Sequence, residues 1–152
     1  MDVALNGVKW WSLILLDGSS RAMLAGAVAP AEASWVTLMV LYTACLRYGA
    51  PDSLISDSGG AFTSHEVQAV LKRLQIAPNP IVRTQGESYK NLMETHCNVQ
   101  RRLYDYQFSL AQTPAEWEQA HQAFLQSYNT TAHEGLLKEG CQPICIKLRW
   151  FV

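Results

Sequence analysis

Residues 9–16, KWWSLILL, form an almost unbroken apolar run of strand length, punctuated by Asn6-Gly7 on one side and Gly18-Ser19-Ser20 on the other. An Asn-Gly pair beside such a run is a strong hairpin signal, because both residues tolerate the left-handed backbone that a two-residue turn requires. A strand that is apolar on both faces cannot stand at a wetted surface. It belongs inside a sheet that is covered on both sides. Three extended segments are therefore expected at the start of the chain: residues 2–5, residues 9–16 and, after the second turn, roughly residues 22–28.

From Pro30 the pattern changes to AEASWVTLMVLYTACLRY, read as a helix with Pro30 near its first turn and with Gly49 and Pro51 as its stop. Its uncharged stretch, residues 33–46, is 14 residues long, short of the roughly 18 needed to span a bilayer. A buried helix is the expected result. A short strand over residues 53–56 should end at Asp57 and the Gly59-Gly60 turn. Thr63-Ser64-His65-Glu66 reads as a capping box, with Thr63 as the cap, opening a helix over residues 66–74. Another short strand near Ile76 follows, then a loop marked by Asn79-Pro80 and Gln85-Gly86-Glu87-Ser88. Residues 89–107 have the character of a long helix. Thr113-Pro114-Ala115-Glu116 forms a second capping box, starting a helix that reaches about Tyr128. Strands followed by alternating helix and strand imply an α/β domain with a mixed sheet.

Composition sets limits on partners and compartment. Twelve basic against thirteen acidic residues leave a formal charge of −1, so bulk positive charge does not supply affinity for nucleic acid, and any DNA contact must come from a local patch. The N-terminus MDVALNGVKWW lacks the basic start and apolar core of a signal peptide, so the cytoplasm is the expected compartment. Cys45, Cys97, Cys141 and Cys145 include no Cys-x-x-Cys pair, and neither His65 nor His96 stands at zinc-finger spacing from them. Reduced thiols are expected.

Two acids stand out. Asp57 follows a strand and precedes glycines, which allow another chain or a phosphate to approach a carboxylate closely; a plain strand-to-helix turn has the same composition. Glu94 shares a polar helix side with Lys90, Asn91, Asn98, Arg101 and Asp105, while Leu92, Val99, Leu103 and Tyr106 project oppositely. By periodicity alone, Glu94 reads equally as a solvated surface acid.

The segment DSGGAFTS from Asp57 resembles the Asp-Asn-Gly-x-x-Phe-Thr-Ser signature of retroviral integrases and insertion-sequence transposases. Glu94, in NLMETHCNVQRRL with 36 residues between it and Asp57, matches the final acid of that family in spacing and helical setting. LLDGSSRAMLAG resembles the family's second strand, and YNTTAHEGL its closing Tyr-Asn-x-x-x-His-x-x-Leu element. The resemblance runs over about residues 2–136. It places the first acid on the strand before the hairpin, which selects Asp2 over Asp17; Asp17 then serves as a strand-ending turn residue.

The resemblance implies a ribonuclease H-like fold, a five-stranded mixed sheet flanked by helices. It further implies a DDE-type polynucleotidyl transferase, cleaving and joining DNA, with Asp2, Asp57 and Glu94 as catalytic residues and as ligands of two magnesium or manganese ions. Tyr89, Lys90, Asn98, Arg101 and Arg102 are the expected DNA contacts. DNA ends, target DNA and a second copy of the chain are the expected partners, with nucleoid association when DNA is bound. Ser58, Ala61 and Asn91 depart from the family pattern without removing a metal ligand. Residues 1–136 are expected to form the core, and residues 137–152 a truncated or non-native tail. No helix-turn-helix or zinc-binding region before Asp2 and no basic β-domain after the last helix is recognisable, which suggests a truncated or decayed core. Two other readings stay open: a ribonuclease H-like nuclease, and an inactive remnant acting through DNA binding or dimerisation.

Overall fold

The computed structural model describes residues 2–5, 7–18, 20–57, 59–80, 110–130 and 149–151, with the backbone alone at 2–5, 80 and 149–151. The chain opens with β1 (Asp2–Leu5) and β2 (Val8–Asp17), paired antiparallel with Leu5 opposite Val8 across Asn6-Gly7. Gly7 has φ 77°, the left-handed value that this hairpin requires. β3 (Met23–Ala29) returns antiparallel along β2, with a register shift between Leu15 and Leu16.

Alternation along β2 meets the expectation of a strand covered on both faces. Leu13 and Leu15 pack with Val40, Leu41 and Ala44 of α1 (Ser34–Tyr48) and with Val67 and Leu71 of α3 (His65–Arg73). Trp10, Ile14 and Leu16 pack with Trp117, Phe124 and Tyr128 of α4 (Pro114–Thr130). Leu54 and Ile55 of β4 (Ser53–Ser56) divide between the same two clusters. Helices thus cover the sheet on both faces, and each fully buried Leu contributes on the order of 2 kcal/mol by leaving water.

Helix starts follow local chemistry, with two shifts from the expected positions. α1 begins at Ser34 with Ala33 as its N-cap, later than the Pro30 start that the sequence suggested; the intervening residues carry Glu32 over to Gly59. Ser64, not Thr63, caps α3, accepting from the Val67 amide at 3.3 Å, while the Thr63 hydroxyl donates back to the Gly59 carbonyl within the short α2 (Gly60–Thr63). The second capping box forms as read: Thr113 Oγ1 accepts from the Glu116 amide, and the Glu116 carboxylate accepts from the amides of Thr113 and Gln112.

Parallel pairing builds the rest of the sheet. β5 (Ala77–Pro80) runs parallel to β4, with Ser53 opposite Ala77. β6 (Arg149–Phe151) lies between β2 and β4, antiparallel to the first and parallel to the second. Among the described residues the sheet therefore has six strands, one more than expected, and the sixth comes from the segment assigned to the tail. Trp11 pairs with both Asp2 and Ala29, and Leu16 with both Met23 and Phe151. β1 and β6 consequently share the edge of β2 that faces away from β3.

β3 pairs with β2 alone among the described strands, and α4 side chains take its other edge. Asn129 accepts from the Met23 amide at 2.8 Å and donates to the Met23 carbonyl at 2.7 Å; Gln122 donates to the Gly26 carbonyl and Glu118 accepts from the Val28 amide. Polar side chains of one helix so occupy backbone groups that would otherwise recruit another strand.

Candidate active site

Asp57 follows the last residue of β4 and its side chain is exposed. Its Oδ1 accepts from the Gly59 amide at 2.9 Å, which fixes the carboxylate over the glycine turn. Gly59 is where a second acid arrives: a Cβ built there would stand 2.8 Å from Asp57 Oδ1 and 3.1 Å from Glu32 Oε1. Two carboxylate oxygens converge on the space beside this glycine. Glu32 was not singled out in the sequence, where it falls in the first turn of the helix expected from Pro30; the helix starts at Ser34 instead, and the approach of the preceding loop to the β4 terminus is a tertiary fact.

The register places Asp2 relative to Asp57. β1 and β6 run in the same direction along one edge of β2, and β6 is parallel to β4. Asp2 therefore lies beyond Phe151 in one column and Asp57 beyond Ile55 in the next, both toward the carboxyl end of β4. Glu94 and the proposed DNA contacts Tyr89, Lys90, Asn98, Arg101 and Arg102 lie outside the described residues.

Asp17 is in a different setting. Its side chain is buried, and Oδ2 accepts from the amide and hydroxyl of Ser20 at 2.7 and 2.6 Å, while its backbone carbonyl accepts from Arg21. Asp17 holds the β2–β3 turn. His121, on α4, has no exposed surface, and burial pushes its imidazole down to about 4, opposed in part by the Glu118 carboxylate.

Hard oxygen donors such as Asp57 and Glu32 suit magnesium or manganese rather than soft metals. Among the described residues, no three His, Cys, Asp or Glu side chains gather closely enough to hold an ion, so a complete metal sphere needs acids beyond this pair. No helix among them is long and apolar enough to cross a membrane.

The structure matches the catalytic core of BIV integrase at TM-score 0.64 and 22% identity, covering 88% of this chain and 82% of that one. It matches the HTLV-2 integrase catalytic core in complex with magnesium at TM-score 0.69 and 20% identity, covering 87% and 82% of the two chains. A simian T-cell lymphotropic virus intasome matches at TM-score 0.72 and 18% identity, over 96% of this chain and 54% of that one. The chain has the ribonuclease H-like α/β fold of integrase catalytic cores. No family model and no curated protein matches its sequence.

Proposed function

We propose that this chain is the catalytic core of a DDE-type DNA integrase or transposase, with Asp2, Asp57 and Glu94 as its catalytic acids. The observation that carries the reading is the exposed Asp57 carboxylate at the carboxyl end of β4, set over a glycine turn in a fold shared with integrase cores. Commitment of Asp17 to its own turn supports Asp2 as the first acid. The matched HTLV-2 core was solved with magnesium, and the donor chemistry of Asp57 suits the same ion. Two magnesium or manganese ions, when bound, would neutralise the clustered acids and stabilise charge on the scissile phosphate.

This chain's own residues have distinct tasks. Gly59 holds the Asp57 carboxylate by its amide and leaves room beside it, and Glu32 adds negative charge that favours cation occupancy. Tyr89, Lys90, Asn98, Arg101 and Arg102 would meet the DNA backbone.

The reading extends to a homo-oligomer. Trp35, Met39, Tyr42 and Leu46 recur at helical spacing along α1 and are exposed, Leu46 to 75%. A continuous apolar stripe of this kind offers a second copy a surface to cover, which supports the reading.

The test is metal-dependent nicking of a DNA end by purified protein. Asp57→Asn and Glu94→Gln are expected to abolish cleavage and strand transfer while leaving the thermal transition nearly unchanged. Retained nicking by either variant overturns the assignment; strand-transfer product separates a transposase from a ribonuclease H-like hydrolase.

A further inference from the structure

Two halves of the sheet carry the first two acids. β1, β2 and β3 form an antiparallel unit with Asp2, and β4 and β5 a parallel unit ending at Asp57. Among the described residues, no pairing joins these units directly; each pairs with β6. Leu16 and Asp17 of β2 face Phe151 and Trp150, and Leu54 and Ile55 of β4 face the same two residues in turn.

β6 also stands in line with β1. Asp2 is opposite Trp11, and stepping forward along β2 from that pair, the places opposite Leu16 and Asp17 are five and six positions before Asp2 on the antiparallel partner. Phe151 and Trp150 occupy those places with the same chain direction. A segment distant in sequence thus fills a slot that continues the strand bearing the first acid. The slot is bordered by backbone edges on both sides, so it selects a short extended strand through main-chain hydrogen bonds.

We infer that the C-terminal segment Arg149–Phe151 is a bracing strand, inserted in cis between β2 and β4, that sets the spacing of Asp2 from Asp57. It is a positioning element and touches no reacting atom. Its consequence for cleavage rests on the function proposed above; its place in the sheet does not.

Backbone hydrogen exchange on the full chain tests the brace without requiring activity. Trp150→Pro removes an amide and fixes φ at a position paired on both sides. Exchange at residues 15–17 and 54–55 is expected to quicken about tenfold or more, while α1 and α3 keep their protection. A free peptide of residues 146–152 added in excess should restore it. Unchanged exchange in the variant, or failure of the peptide to restore protection in a chain that is still folded, overturns the inference.

The wild-type chain gives a second measurement should the variant unfold. Nuclear Overhauser contacts from the Trp150 backbone to those of Asp17 and Leu54 within one molecule are expected; their absence from the folded chain overturns the brace. Such contacts found only between copies, in a mixed-label sample, overturn insertion in cis. In the cleavage assay, Trp150→Pro should lower kcat with little change in KM for DNA, and the peptide should recover it. If wild type does not nick DNA while exchange and Overhauser results hold, the functional reading fails and the brace stands.

Discussion

His121 packs against the backbone of β3 so closely that a Cβ at Gly26 would stand 2.5 Å from its Nε2 and 3.0 Å from the Leu13 carbonyl. Glycine at 26 is required by space, and Gly26→Ala is expected to destabilise the fold by about 1–3 kcal/mol through overpacking, read as a lower urea midpoint. The imidazole is held near 4 against an ordinary 6.5, chiefly by burial. Since the folded value is depressed, the unfolded chain binds more protons between those two pH values. Stability from this group is complete above about pH 6.5 and is lost as pH falls toward 4, by up to about 3 kcal/mol. Urea midpoints at pH 7 and pH 4.5 should differ in wild type and converge in His121→Gln. At Gly59 the crowding falls on carboxylates instead: Gly59→Ala is expected to weaken manganese binding by about tenfold, measured calorimetrically, with the thermal transition little changed.

The second scale is that of helices and strands, where α4 shows how packing and polarity divide along one element. Trp117, His121, Phe124, Leu125 and Tyr128 form its buried stripe, while Glu118, Gln122 and Asn129 reach the outer edge of β3. Asn129 satisfies both backbone groups of Met23, so Asn129→Ala should cost about 1–3 kcal/mol by leaving them unpaired, with faster amide exchange at Met23 as the direct readout. Local chemistry made several elements legible in advance. Asn6-Gly7 announced the β1–β2 hairpin, the apolar run of β2 its two covered faces, and Thr113 with Glu116 the start of α4. What escaped the sequence depends on distant partners. The RWF segment has no period to mark it as a strand, and it becomes one only between two waiting edges. Glu32 reads in the sequence as an ordinary first-turn helix acid, until the later start of α1 leaves it in the loop that reaches Gly59. For the candidate site, the strand-end position of Asp57 was readable because strand, acid and glycine turn are contiguous.

For the whole molecule, net charge and exposed apolar surface together constrain how the chain can work. A formal charge of −1 gives no general attraction to DNA, so under the proposed function any grip on DNA has to come from local cations or from assembly. Assembly has a ready surface in α1, where Val36, Val40, Leu41 and Ala44 face the core and Trp35, Met39, Tyr42 and Leu46 face outward. A helix apolar on both sides costs little if its outer side is covered by another copy, and it invites aggregation if it is not. Glutamate at two neighbouring outer positions places charges where apolar contact is required, without touching either core cluster. The Tyr42→Glu, Leu46→Glu double variant is therefore expected to sediment as a monomer at concentrations where wild type forms the larger species, with its thermal midpoint lowered only by the lost association. A wild-type chain that sediments as a monomer throughout the micromolar range removes the oligomer from the proposed function. The carboxylate chemistry at Asp57 would still be open to its own test.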